Sequence, residues 1–186
     1  SHTILQSELN EQCQPGWLQR DQGRAMNAAE RLALIELYEA GHQAIVDALA
    51  GITPAEMEAR EAPGEWSPRE IVHHLADSEM TSAVRLRLLV AEDNPTLVGY
   101  DQETFVANLF PERPIEPSLA AFGAARAATA PILRRLSDEQ WQRAGTHTEV
   151  GRYSVEDWLQ TYADHAHNHA DQIGRARASA VAQAAD

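Results

Sequence analysis

Cysteine is nearly absent: Cys13 is the single thiol in 186 residues. One thiol cannot close an internal disulfide, and cysteine-ligated zinc sites are excluded. Long apolar runs are missing as well. None approaches the roughly 20 residues that cross a bilayer, and no secretory signal is read, so the expectation is a soluble cytoplasmic protein with no membrane partner. Cations are scarce: 15 Lys and Arg face 28 Asp and Glu, a formal charge of −13. So acidic a surface repels phosphate backbones. Arg85 with Arg87, and Arg175 with Arg177, are too few and too mixed with acids to make a basic patch, so nucleic acid is not an expected partner. Strand-type alternation is rare, whereas Ala, Leu, Glu, Gln and Arg abound, which predicts an all-α fold.

The first 25 residues differ from the rest. They hold no steady apolar period, and Met26 then opens a helical stretch in the manner of a native start. Residues 1–25 are therefore read as an N-terminal extension, foreign in part to the natural chain or an arm that packs on a partner subunit. Residues 26–186 are read as one domain, long enough for a sizeable core.

Four long helices are predicted. The first runs from Asn27 to Ala50, with Leu34, Leu37, Tyr38, Ile45 and Leu49 at helical spacing and Gly51 as its stop. The second starts at a capping box, Ser67 with Glu70 and Pro68 at the first helical position, and runs to Glu92. Residues 93–117 form a long connection, with a short helix over Gln102–Leu109. The third helix covers Ser118–Leu136, where Pro131 predicts a kink or break. Ser137 and Asp138 cap a brief turn carrying Trp141. Residues 144–153 are a loop or small hairpin holding His147. The fourth helix runs from Ser154 to Ala180, capped by Ser154 and Asp157. Together they predict a four-helix bundle with a long connection between its second and third helices.

Three histidines fall on inward faces. On the fourth helix, Val155, Trp158, Tyr162, His165, His169 and Ile173 share one stripe. The i,i+4 pair His165 and His169 points two imidazoles the same way, roughly 6 Å apart along the axis. On the second helix His74 shares its face with Ile71, Leu75, Ser78, Ser82 and Leu89. His73, one position off, is placed to meet Asp77 at i+4, and His167 points elsewhere. Three neutral imidazoles would leave a metal's charge intact and leave positions open. Hydrogen-bonded core histidines are the plainer alternative that periodicity leaves standing.

The string W-S-P-R-E-I-V-H-H-L-A-D-S-E, followed some ninety residues later by H-x-x-x-H-x-x-Q-I, resembles the DinB-like family, above all its YfiT-like branch of metal-dependent hydrolases. RLRLLVAEDNPTLVGYDQETF is similar to that branch too, and the likeness runs from about Leu32 to Arg175. It implies an antiparallel four-helix bundle, often dimeric, that binds a divalent metal through His74, His165 and His169. Zinc or nickel is the expected ion, with manganese or iron as alternatives. His147 in GTHTEVG matches a further histidine of the family, implying a catalytic residue, although Thr148 stands where the family commonly has proline. Glu79 takes the place of a histidine in some relatives and is given no role.

Such a site can activate water for hydrolysis, or bind a low-molecular-weight thiol as thiolate for S-transfer. Cys13 lies outside the domain, so a thiol would be a cosubstrate. The expected partner is a small-molecule substrate, with homodimerisation implied by the likeness. The alternative is a noncatalytic bundle that binds metal or senses a stress-related ligand. Asp164 and Asp171 read as solvated surface, Trp66, Trp158 and Tyr162 as packing, and Tyr100 and Asp101 as a wall of any pocket.

Overall fold

A computed structural model describes residues 25–184. Cys13 and nearly all of the N-terminal extension lie outside the described residues. The chain runs α1 (Ala28–Leu49), α2 (Pro54–Glu58), α3 (Pro68–Ala91), β1 (Thr96–Leu97), α4 (Gln102–Asn108), α5 (Ile115–Leu133), α6 (Asp138–Trp141), β2 (Ala144–His147), β3 (Gly151–Ser154) and α7 (Val155–Ala184).

Reciprocal side-chain caps fix where the helices begin. Asn27 with Glu30, Thr53 with Glu56, Ser67 with Glu70 and Ser137 with Gln140 close capping boxes on α1, α2, α3 and α6. Ser154 and Asp157 trade bonds at the head of α7, at 2.8 and 3.1 Å. Each cap satisfies amide donors that the first turn leaves without partners.

The four-helix bundle has two helices running each way. Met26 meets Glu156, Leu37 meets His167 and Ala48 meets Arg177, so α1 and α7 are parallel neighbours. The pairs His73–Ser118, Glu79–Arg126 and Arg87–Thr129 make α3 and α5 parallel as well. The contacts of α1 with α5 and of α3 with α7 are antiparallel. A parallel α3–α5 pair forces the chain back along a 24-residue helix, a path of roughly 36 Å. That is the physical reason for the long connection. On the way β1 pairs in parallel with β2, Thr96 to Thr146 and Leu97 to His147, and β2 pairs with β3 as a hairpin.

Several boundaries depart from expectation. The sequence reading did not foresee α2 or β1. Helix α5 starts at Ile115 rather than Ser118, with Pro114 as its cap residue and Pro117 in the first turn, where a missing amide proton costs nothing. The helix passes through Pro131 and ends two residues later, so no break falls at the proline itself. The last helix reaches Ala184 rather than Ala180.

The apolar core has two parts. One gathers Tyr38, Leu86, Leu89, Leu133, Trp141, Trp158 and Leu159; the other gathers Ile45, Trp66, Ile71, Leu75, Phe122 and Ile173. Between them lies a buried polar network centred on Arg126. Its Nε donates to Glu79 Oε2 (2.8 Å), Nη1 to the Tyr38 carbonyl (2.5 Å) and Nη2 to the Tyr162 carbonyl (2.8 Å). The Tyr38 hydroxyl donates to the other Glu79 oxygen. The guanidinium also lies 4.2 Å from the Tyr38 ring centre and 4.9 Å from that of Phe122. Gly41 makes room: a Cβ there would collide with Arg126 Nη1 and the Ala166 methyl.

Removing one partner of a buried ion pair strands the other charge. Arg126→Met is expected to cost about 3–5 kcal/mol in denaturant unfolding, and the double variant Glu79→Leu/Arg126→Met should regain much of that loss. Equal losses in the single and double variants would show that the charge pairing is not what matters.

Candidate metal centre

The cap at Ser67 sets the phase of α3, and that phase turns His74 into the bundle. On α7 the stripe that buries Val155, Trp158, Tyr162 and Ile173 also carries His165 and His169. The structure brings the three imidazoles together. His74 Nε2 lies 3.1 Å from His165 Nε2, and His169 Nε2 lies 3.2 Å from the same atom. Every pair of the three ligand atoms lies within 4.8 Å. The rings meet edge to face, 5.2, 5.0 and 4.7 Å between centres. His74 and His169 are buried, whereas His165 keeps part of its surface accessible.

Burial, reinforced by repulsion from the neighbouring imidazoles, holds His74 and His165 well below the usual histidine range. Burial pulls His169 down to about 4, against the opposing hydrogen bond to the Gln172 side chain. The three rings are therefore neutral at physiological pH, with lone pairs available.

Two residues that sequence reasoning gave no role orient the site. Gln172 Oε1 lies 2.9 Å from His169 Nδ1, and Gln172 Nε2 donates to Glu65 Oε2 at 3.2 Å. Glu65 accepts only, so it fixes the amide with its oxygen toward His169. Nδ1 then carries the proton, and Nε2 presents a lone pair to the other two rings. Gln172 was visible as the Q of H-x-x-x-H-x-x-Q-I, yet only the fold shows what it bonds. Trp66 walls the other side, 4.5 Å from His74 and 6.1 Å from His169 between ring centres, and its indole N–H donates to Glu103 of α4.

The other histidines take different places. His73 does not meet Asp77. It is buried between Ser118 Oγ (2.8 Å) and the Arg113 carbonyl (3.1 Å), while Asp77 faces Arg113 at 3.5 Å. The α3–α5 packing outcompetes the local i+4 contact. His167 bonds the Leu37 carbonyl at 3.0 Å and joins α7 to α1. His147 is buried on β2, not exposed on a loop. The Glu149 amide donates to its Nδ1 at 3.2 Å, and its ring packs 5.7 Å from that of Tyr153. It is not among the three converging imidazoles. Burial, and then the Arg85 cation, lower its pKa. Glu79, given no role from sequence, is the buried partner of Arg126.

Long-range ¹H–¹⁵N spectra of the metal-free protein are expected to show His169 protonated on Nδ1. Gln172→Leu should erase that preference. An Nε2-protonated His169 in the unaltered chain would refute the orientation by Glu65 and Gln172.

Residues 37–173 match the DinB superfamily. A protein of Oceanobacillus iheyensis named "putative metal-dependent hydrolase" is 34% identical over 110 residues, 59% of this chain and 64% of its own length. The chain thus spans slightly less than two thirds of that relative. YfiT of Bacillus subtilis, which bears the same description, is 29% identical over 142 residues, 75% of this chain and 79% of its own. The solved structure of Bacillus subtilis YfiT, described as a four-helix bundle of unusual topology, matches with a TM-score of 0.77 at 24% identity. The match covers 87% of this chain and 91% of that one. The family match over residues 37–173 shows that the chain belongs to the DinB superfamily, and its fold is like that of YfiT.

Proposed function

We propose that this protein is a metal-dependent hydrolase whose divalent ion is held by the Nε2 atoms of His74, His165 and His169. The observation that carries the reading is the meeting of three neutral, largely buried imidazole nitrogens. A ring nitrogen offers one N–H or one lone pair, so His165 Nε2 can complete only one good hydrogen bond with its two neighbours. A cation among the three lone pairs resolves that conflict. The fit is also metric. Metal–nitrogen bonds of about 2.0–2.1 Å, at tetrahedral or facial octahedral angles, set nitrogens roughly 2.8–3.4 Å apart, and the two contacts to His165 measure 3.1 and 3.2 Å.

Zinc or nickel suits an all-imidazole donor set, with manganese and iron as the alternatives. When bound, the ion supplies Lewis-acid activation of water, or of a low-molecular-weight thiol, toward an electrophilic small molecule. The chain's own residues prepare that chemistry. Gln172 and Glu65 hold His169 in the ligating tautomer. Trp66 keeps water from one side of the triad. Arg126 pins the Tyr162 carbonyl, three residues before His165. The accessible part of His165 leaves a small molecule a way in. His147, whose Nδ1 accepts the Glu149 amide, is assigned as a general acid or base.

Protein purified without a metal-affinity step should carry one ion per 20.5 kDa chain by elemental analysis. His74→Ala, His165→Ala and His169→Ala should each lose it, whereas His73→Ala and His167→Ala should keep it. Gln172→Ala should weaken metal affinity roughly 10–100-fold. Full occupancy in His169→Ala would sink the assignment.

Chelation should abolish turnover and leave the helical signal intact, because the two apolar core regions do not depend on the site. A panel of amides and esters, run beside thiol plus electrophile, tells hydrolase from S-transferase. Silence of the fully metallated protein in both would favour a noncatalytic binding bundle. Pairing of two copies is proposed from the family likeness, and light scattering should give twice the chain mass. His147→Gln should lower kcat without moving metal affinity if the acid–base assignment holds.

A further inference from the structure

Two buried donors beside Tyr162, whose ring meets that of His165, complete no well-formed hydrogen bond. Arg85 Nε and the Tyr100 hydroxyl are both shut from solvent and make no hydrogen bond of good geometry among the described residues, although the Ser78 hydroxyl lies close to that of Tyr100. A buried donor left without a partner costs about 1–3 kcal/mol, so a pair of them on neighbouring side chains calls for an explanation. They are neighbours: the Arg85 guanidinium lies 5.8 Å from the centre of the Tyr100 ring. Arg85 is held in place, since Nη2 donates to the Val98 carbonyl at 2.5 Å. Tyr100 is held by its packing on Phe105, 4.6 Å between ring centres.

Tyr162 links the pair to the three histidines. Helix α3 places His74, Ser78 and Arg85 on one face, at intervals of four and seven residues. Arg85 and Ser78 both act on the Tyr162 hydroxyl, and the Tyr162 ring stands edge-on to His165 at 5.9 Å. The α3–α7 seam thus has imidazoles toward one end and a cation with phenols toward the other. The Cα rise from His74 to Arg85 is roughly 16 Å, and the long arginine stem bridges part of it.

The chemistry selects the ligand. Arg85 has no carboxylate partner among the ion pairs of the described residues, although the chain holds 28 acids. The acids around it are engaged or turned elsewhere. Asp77 faces Arg113, Glu79 faces Arg126, and Glu149 leans on Gly99 beside His147. Burial pushes the Tyr100 phenol up to about 12, so it keeps its proton and donates. A guanidinium edge and one phenol O–H offer two donors to a small planar acceptor, which suits a carboxylate. A phosphate dianion would bring more charge than one free arginine answers.

We propose that Arg85 and Tyr100, with the Ser78 and Tyr162 hydroxyls behind them, form a subsite for the carboxylate of a small acid whose reacting end lies at the three histidines. The hydrolase reading supplies the reacting end; the subsite itself stands on the orphaned donors. It narrows the substrate class to elongated small-molecule acids and assigns Arg85 and Tyr100 to substrate selection.

The Arg85 Nε–H resonance reports on the subsite directly. It is identified in ¹H–¹⁵N spectra of the full chain by its loss in Arg85→Lys. Glutarate, its neutral diamide and inorganic phosphate are titrated into zinc-loaded and into metal-free protein. Glutarate should move the Arg85 signal to saturation, and the diamide should not. Tyr100→Phe should weaken glutarate binding about tenfold, the worth of one charge-assisted hydrogen bond. Arg85→Lys, which keeps the charge and loses the fork, should weaken it at least as much by calorimetry. Unchanged circular dichroism and unfolding midpoint in both variants would rule out a folding defect.

An Arg85 signal that ignores glutarate overturns the proposal, as does one that answers the diamide equally. A response to phosphate but not to glutarate overturns the carboxylate assignment. The metal-free arm separates the two readings. His74→Ala failing to lose metal would sink the triad assignment and leave the Arg85 response as it was.

Discussion

One guanidinium ties the four long helices together. Arg126 stands on α5 and reaches Glu79 on α3, the Tyr38 carbonyl on α1 and the Tyr162 carbonyl on α7. Burying such a pair rarely adds net stability, because desolvation consumes most of the Coulombic gain. What it adds here is registry. Apolar stripes on Ala- and Leu-rich helices can slide by a turn at modest cost, but a planar fork with three fixed acceptors cannot. Gly41 is part of the same constraint, since only its bare Cα leaves room for the guanidinium. The bond to Tyr162 then sets the height of α7 against α3, and with it the distance between His165 and His74.

The metal centre inherits that precision. Three imidazoles from two antiparallel helices converge only if both helices keep their phase and relative height. The Ser67 cap supplies the phase of α3, the Ser154–Asp157 cap that of α7, and the Arg126 network the height. Glu65 and Trp66, from the segment just before α3, close over the result. Keeping three largely buried imidazoles neutral and close is a local cost, of the kind proteins retain where the arrangement serves chemistry.

What could be read from the chain, and what could not, divides along physical lines. The helix starts were legible because capping is a local bargain between residues three apart. The inward placement of His74, His165 and His169 was legible because periodicity maps directly onto a face. Long-range pairing left no such trace. Nothing near Glu79 says that its partner stands 47 residues away, and nothing near His73 says that Ser118 will outcompete Asp77. The burial of His147 depends on a hairpin aligned by a strand fifty residues earlier. Helix α5 begins early because two prolines that look like loop markers sit where a first turn accepts them.

The arginines show the same rule at the scale of the whole molecule. The sequence has no lysine, so all 15 of its basic side chains are planar forks. None of α1, α3 or α4 carries a basic residue in its last turn, although each ends in carbonyls that favour positive charge. Arginines from beyond each helix meet that need. Arg177 of α7 donates to the carbonyls of Ala48 and Ala50 at the end of α1. Arg143 donates to those of Leu89 and Glu92 at the end of α3. Arg113 turns back onto Leu109 and Phe110 at the end of α4. A guanidinium can spread its donors over two carbonyls at once, which an ammonium on a flexible stem does less well. These forks bind helix ends to later parts of the chain and lock the bundle's connections. Arg85 differs in what it leaves buried. It spends one nitrogen on the Val98 carbonyl and leaves another buried and unspent. A buried guanidinium nitrogen without a partner, linked through Tyr162 to the histidine cluster, is better explained by a ligand than by the fold.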